Sequence, residues 1–239
     1  MRVLVTGASR GLGLGFCRML RERGDEVLAI VRASTPELDA TGATVLPGHD
    51  LAEDDSVRAL AAAVGDVPID LVICNAGINK TYAQGIAELD LPTLKHEFDV
   101  NTFGPIRTIQ ATLPRLRQGS KIVMISTWRP EVGAARRNYG YQMSKVALNQ
   151  LQFLLSDELA ERGISTVVLS PGPMDTELLR EVVEAGHANL TPDMAQNPLD
   201  VARDLLVQID ALEPGTTGRW LFRTGASMTD RARGPVFGH

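Results

Sequence analysis

Tyr141 and Lys145 stand four residues apart in Tyr141-Gln142-Met143-Ser144-Lys145, where a run that reads as a helix over 141–161 begins. That offset places both side chains on one helix face, an ammonium beside a phenol. A phenol titrates near ~10 in water, and a positive neighbour favours its anion. The pair therefore predicts a tyrosine of lowered pKa acting as general acid or base. The same two residues also fit a half-exposed pair on an amphipathic helix, and the upstream sequence weighs between the readings.

A second stretch with chemical content is Thr6-Gly7-Ala8-Ser9-Arg10-Gly11-Leu12-Gly13, between an apolar strand and a helical run. Glycines at such a turn let the backbone approach a pyrophosphate, and the helix N-terminus offers N–H donors. The spacing is TGxxxGxG, not GxGxxG; the strong patterning on both sides favours a dinucleotide cradle over a plain tight connection. The second strand ends Ile30-Val31-Arg32, with no acid to hold a ribose 2′-hydroxyl. Arg32 and Arg10 suit a 2′-phosphate, so NADP(H) is expected over NAD(H), although arginines at such places are also ordinary solvated surface. His49-Asp50-Leu51 closes the third strand, where Asp50 could accept from an adenine amino group and Leu51 pack beside it. Asp54 is the better candidate for capping the following helix. Asn75-Ala76-Gly77 closes the fourth strand with small residues at the carboxyl edge of the sheet.

The elements that must position these residues alternate. Strand-length apolar runs fall at 2–6, 26–31, 44–47, 70–74, 121–126, 165–169 and 219–222; helical patterns fall at 12–23, 54–64, 91–116, 141–161 and 199–212. Strands rich in Val, Ile and Leu on both parities are buried on both faces, which predicts a parallel sheet covered by helices on each side. The expected fold is a doubly wound, Rossmann-type α/β sheet of about seven strands, with residues 1–239 as one cofactor-binding and catalytic domain. Gly24-Asp25 and Gly163 mark helix ends, and Pro92 and Pro198 mark helix starts. The chain carries 24 basic and 29 acidic residues, a net charge of −5, which argues against nucleic acid and anionic membranes as partners. With no signal peptide or membrane-length apolar run, and with Cys17 and Cys74 both in apolar settings, a reducing, cytoplasmic location is expected. The four histidines form no metal-ligand spacing, and no metal is expected.

In order and spacing, Thr6 to Gly13, Asp50, Asn75-Ala76-Gly77, Asn101, the strand ending Ser126-Thr127, Tyr141 to Lys145, and Pro171-Gly172 through Thr176 resemble the short-chain dehydrogenase/reductase family. The length and the late Gly218-Arg219-Trp220 strand with Gly225 look most like small carbonyl-reductase or C-factor-like members. The resemblance implies hydride transfer between a nicotinamide and a carbonyl or alcohol carbon. Tyr141 would then donate the proton, Lys145 would lower its pKa and hold the nicotinamide ribose, and the backbone of Asn101 would hold a water in a proton relay. Pro171, Gly172 and Met174 would lie at the nicotinamide, with Thr176 at its carboxamide or the phosphates. Where the family places a serine two residues beyond the last apolar residue of the fifth strand, counting from Ile125 reaches Thr127, with Ser126 before it. A threonine hydroxyl can donate the same bond, while its methyl narrows the site.

Ile78, Asn79, Lys80, Trp128, Arg129, Met174 and the segment 177–197 are expected to wall the substrate pocket, and Arg129, Arg136 and Arg137 hint at an acidic substrate. The stretch 184–198 reads as a lid. The leading expectation is an NADPH-dependent reductase of a small-molecule ketone or aldehyde. Two alternatives stay open, a nucleotide-sensing binding protein and a dinucleotide-dependent epimerase or dehydratase. The resemblance implies a homodimer or homotetramer built on the helices at 91–116 and 141–161.

Overall fold

The computed structural model describes residues 1–82, 84–127, 138–185, 194–213 and 217–227. The apolar runs form β1 (Arg2–Thr6), β2 (Glu26–Ile30), β3 (Thr44–Leu46), β4 (Ile69–Cys74), β5 (Leu116–Ile125), β6 (Ser165–Ser170) and β7 (Arg219–Phe222). They make one seven-stranded sheet in the order β3-β2-β1-β4-β5-β6-β7, every neighbouring pair parallel. Successive side chains go to opposite faces, so each central strand feeds two cores. On one face Val3, Val5, Leu71 and Ile73 pack with Phe16 and Leu20 of α1 (Gly11–Glu22) and with Leu205 and Ile209 of α8 (Pro198–Asp210). On the other, Leu4 and Val72 pack with Leu60 of α3 (Ser56–Val64), Ile109 of α5 (Gly104–Thr112) and Leu148 of α6 (Tyr139–Ala160). Each such fully buried aliphatic side chain stabilises the fold by about 1.5–3 kcal/mol of transfer free energy. The sheet is therefore rigid where the site needs it.

The chain winds one way from β1 to β2 and the other way to β4, so strand order reverses between β1 and β4. A crevice opens at the carboxyl ends of strands at such a switch point. Thr6, the last residue of β1, is 1% exposed, and its Oγ1 accepts from Asn75 N (3.0 Å) and Ala76 N (3.1 Å). Asn75 answers with Nδ2 donating to Thr6 O (3.0 Å) and Gly7 O (3.2 Å). The carboxyl ends of β1 and β4 are thus locked side by side.

The helical pattern over 91–116 is not one helix. It divides into α4 (Leu91–Phe98), a π-helical turn (Asp99–Phe103), α5 and a 3₁₀ turn (Leu113–Arg115), and β5 begins at Leu116, ahead of the expected residue 121. Pro105 cannot donate to the Asn101 carbonyl as a continuing α-helix requires, and Pro114 ends the second half in the same way. The widened turn brings Gly104 N to Asp99 O. Asp54 does not cap α3, whose N-cap residue is Asp55, with no side-chain bond to a backbone N–H of the first turn; Asp54 instead accepts from Arg107 Nε at 2.7 Å. Patterning also missed two short helices, α2 (Pro36–Asp39) and α7 (Glu177–Glu184). Among the described residues, no helix is long and apolar enough to cross a membrane.

Candidate active site

A continuous cleft of ≈ 1320 Å³ runs along the carboxyl edge of the sheet. Gly7, Ser9, Arg10, Gly11 and Leu12 line its first end, as expected from the turn after β1. Gly7 (φ +66°) and Gly11 (φ +56°) need the left-handed region, and a Cβ on Gly7 would lie 2.7 Å from Ala76 Cα. Gly13 lies behind the cleft rather than in it: a Cβ there would fall on Gly7 O and stand 2.7 Å from Asn75 Nδ2. Its role is to let α1 approach the turn. The first turn of α1 has no side-chain cap and no acidic residue, so its N–H donors and positive dipole end face the cleft open to an anion. A dinucleotide pyrophosphate fits this cradle.

Arg32 and Arg18 line the next section, both exposed. Arg32 has no carboxylate partner among the described residues, whereas Arg10, its expected companion, is paired with Glu177 of α7. Asp50 and Leu51 line the adjoining wall; Asp50 Oδ1 accepts from Ala52 N at 3.0 Å, which fixes the carboxylate at the turn. Asn75, Ala76 and Gly77 form the floor between the two ends. A Cβ on Gly77 would stand 3.3 Å from Asn101 Oδ1, a tight approach, and in ordinary contact with Lys145 Nζ at 3.5 Å.

At the far end, Tyr141, Lys145, Ser126 and Thr127 converge in the same cleft. Lys145 is 4% exposed; its Nζ donates to Ile125 O at 2.8 Å and lies 5.7 Å from the Tyr141 ring centroid. Thr127, not Ser126, is the hydroxyl that acts on the Tyr141 phenol, favouring its anion. Ser126, 3% exposed, leaves its Oγ unpaired, one residue earlier and facing the other way. Asn101 is fully buried behind the cleft: its Oδ1 accepts from Ile78 N (2.8 Å) and its Nδ2 donates to Ile78 O (2.8 Å) and Ser144 Oγ (3.0 Å). Its side chain thereby holds the pocket wall against α6, while Pro105 leaves its carbonyl without the usual helical donor.

The phenol does not follow the direction expected from a neighbouring ammonium. Burial, the largest effect, raises the Tyr141 pKa to about 12; the Thr127 hydroxyl pulls it down and the charge of Glu97 adds to the rise. Burial likewise brings Lys145 down from 10.5 to about 8, with Cys74 opposing. In the protein alone, desolvation outweighs pairing at both groups.

Pro171, Gly172, Met174 and Thr176 line the wall opposite the glycine turn. Thr176 caps α7, accepting from Leu179 N at 3.3 Å, and its Cγ2 stands 3.2 Å from where a Gly11 Cβ would be. α7 then crosses the cleft between two ion pairs, Arg10 with Glu177 and Lys80 with Glu181 (2.6 Å). Lys80, Glu177 and Glu181, all within the residues expected to wall the pocket, line the cleft; the ion pairs themselves were not foreseen, although the i, i+4 spacing of Glu177 and Glu181 marks one helix face. Sequence reading missed Glu97 and Thr81, which carry no motif, and the contact made by Ser144 inside the Tyr141 to Lys145 stretch. Ile78 and Asn79 line the pocket as expected. Trp128, Arg129, Arg136, Arg137 and residues 186–193 of the expected lid lie outside the described residues.

A sequence model of the family described as short chain dehydrogenase matches residues 1–186. The 1-hydroxy-2-glutathionyl-2-methyl-3-butene dehydrogenase of Rhodococcus sp. (strain AD45) is 33% identical over 233 residues, covering 95% of this chain and 98% of that one. The C-signal protein of Myxococcus xanthus is 31% identical over 177 residues, 72% of this chain and 99% of that one. Among solved structures, the NADPH-bound carbonyl reductase from chicken fatty liver superposes with a TM-score of 0.81 at 26% identity, covering 95% of this chain and 98% of that one.

The displaced Lys145 pKa has a measurable sign. Between about pH 8 and 10.5 the unfolded chain keeps a proton on this lysine that the folded chain has released, so its contribution to stability rises with pH across that window. Relative to Lys145→Met, the wild type should gain on the order of 1 kcal/mol per pH unit there. Urea midpoints of both proteins at pH 8, 9 and 10 read the gain; parallel curves would show that the ammonium is not desolvated.

Proposed function

The chain belongs to the short-chain dehydrogenase family, and from that premise we propose that it is an NADP(H)-dependent oxidoreductase. It reduces a small-molecule ketone or aldehyde, or oxidises the corresponding alcohol, with residues 1–239 acting as one unit. The observation that carries this reading is Tyr141 in the same cleft as the Thr127 hydroxyl and one helical turn from the buried Lys145. A bound nicotinamide supplies or takes the hydride. The chain's own residues handle position and proton. Tyr141, protonated at neutral pH, donates to a carbonyl oxygen held by the Thr127 hydroxyl. Lys145, anchored on Ile125 O, has two further N–H donors for the ribose hydroxyls. The uncapped α1 N-terminus holds the pyrophosphate, and Arg32 meets the 2′-phosphate. The free, buried Cys17 and Cys74 suit a reducing compartment such as the cytoplasm.

The deciding experiment mixes wild type and Tyr141→Phe with NADPH and a carbonyl panel that includes a glutathione-conjugated aldehyde, because the Rhodococcus relative is named for such an alcohol. NADPH should bind both proteins equally, while the variant loses roughly 10²–10⁴-fold in turnover. Tight binding with no carbonyl reduced by either protein would favour the nucleotide-sensing alternative.

Cofactor choice has its own readout. Arg32→Ala should weaken NADPH by about 10–100-fold, the value of a charge-assisted contact, and leave NADH nearly unchanged. Equal losses for both cofactors would remove Arg32 from the 2′-phosphate.

Assembly rests on an apolar outer face. Phe103 (46%), Met143 (50%), Val146 (41%) and Leu154 (60%) are exposed on the π turn and α6, and a second copy of the chain covers them in a two-fold helical interface. Sedimentation at micromolar concentration should show a dimer or tetramer; a single 25.8 kDa species would reject it.

A further inference from the structure

Glu97 is a carboxylate buried to 0% exposure, with no basic side chain paired to it among the described residues. Three donors surround it instead. Oε1 accepts from Lys80 N and from Thr81 N (3.0 Å), and Oε2 accepts from Thr81 Oγ1 at 2.6 Å. Thr81 Oγ1 in turn accepts from Gly140 N at 2.9 Å, in the first turn of α6. A Cβ on Gly140 would fall on Glu97 Oε2, so the carboxylate lies against the backbone one residue before Tyr141. Burying a carboxylate without a cation is costly, and hydrogen bonds alone rarely justify it where a neutral side chain could serve. The geometry also repeats one turn on: Asn101 grips Ile78 and Ser144, as Glu97 grips residues 80–81 and, through Thr81 Oγ1, Gly140. The two attachments, at Gly140 and Ser144, bracket Tyr141, and the second immediately precedes Lys145.

We infer that Glu97 is a positioning residue for Tyr141, its carboxylate strapping the start of α6 to residues 80–81 and setting a buried negative charge behind the phenol. This rests on the reading of Tyr141 as proton carrier. Close negative charge disfavours phenolate, so Glu97 keeps the proton on the oxygen that must give it away during carbonyl reduction. Its effect adds to that of burial. The other titratable groups around the phenol are Lys145 on α6, with Cys74 of β4 behind it, and His96, Lys80 and Glu181 along the cleft. Among these only Glu97 combines full burial, negative charge and contact with the helix that carries Tyr141.

The test compares wild type, Glu97→Gln and Thr81→Val in NADPH-dependent carbonyl reduction across pH. Glu97→Gln keeps the shape and removes the charge: NADPH affinity should hold within about twofold, and the alkaline fall in kcat should move toward acid by about 0.5–1 pH unit. Thr81→Val breaks the strap but keeps the charge, so its rate should drop at every pH with the limb in place. Tyrosinate absorbance, corrected with Tyr141→Phe, follows the same proton without turnover, so a wild type inactive on every carbonyl would sink the reductase reading separately. Coincident limbs and coincident tyrosinate titrations for wild type and Glu97→Gln would overturn the inference. So would a Glu97→Gln protein that fails to fold while Glu97→Asp folds, since the charge would then serve the fold and not the phenol.

Discussion

The chain that leaves β4 is half-buried, runs in no strand, and still has to satisfy its backbone N–H groups. Side chains do this in sequence: Thr6 takes the N–H groups of Asn75 and Ala76, Asn101 takes Ile78, and Glu97 takes Lys80 and Thr81. An orphaned buried N–H costs about 1–3 kcal/mol, so each of these side chains is held in place by the group it serves. Because Thr6 closes β1, Asn101 and Glu97 lie along α4 and its π turn, and Ser144 and Gly140 belong to α6, one irregular segment fixes three elements to one another. The glycine turn, the floor of the cleft at Asn75 to Gly77 and the tyrosine helix share this single support. That is why the two ends of the cleft, far apart in sequence, keep a common register.

The parts of this arrangement legible in the sequence are those where one residue type answers one local demand. Left-handed turns at Gly7 and Gly11, the open helix start after them, and the i, i+4 offset of Tyr141 and Lys145 all follow from short-range geometry. The strands were legible for the same reason, since both parities of each run are apolar. What was not legible depends on groups that meet only after folding. The 91–116 pattern keeps its apolar period through the π turn, so the break shows only in Pro105 and in the burial of Asn101. Glu97 in a helix reads as a solvated charge, and nothing local says that Gly140 leaves it a place. The fall expected for the Tyr141 pKa used the one neighbour visible in sequence, Lys145, and had no measure of desolvation, which proved the larger effect.

The electrostatics of the pocket are accordingly those of a dry site. Lys145 and Tyr141 each sit closer to their neutral forms than in water, and the phenol holds its proton at neutral pH. In the proposed reaction a cationic ring placed beside them would act in the opposite direction, favouring phenolate, so the proton would be loosest with an oxidised nicotinamide bound and tightest without it. That is the order a reversible carbonyl–alcohol interconversion needs, with an acid for one direction and a base for the other.

The mouth of the cleft obeys a different balance. Arg10 with Glu177 and Lys80 with Glu181 are largely exposed pairs, and such pairs contribute only about 0–1 kcal/mol. A phosphate dianion carries more charge and more acceptor oxygens than a carboxylate, so a guanidinium exchanges one for the other at little cost. Arg32, without a carboxylate partner, gives up nothing on meeting a phosphate; Arg10 must first release α7. In the proposed function, discrimination for a 2′-phosphate would therefore fall mainly to Arg32, whereas Arg10 would link the arrival of that phosphate to the position of α7. The buried attachments hold the reacting groups still, and the weak surface pairs leave α7 free to yield to a ligand.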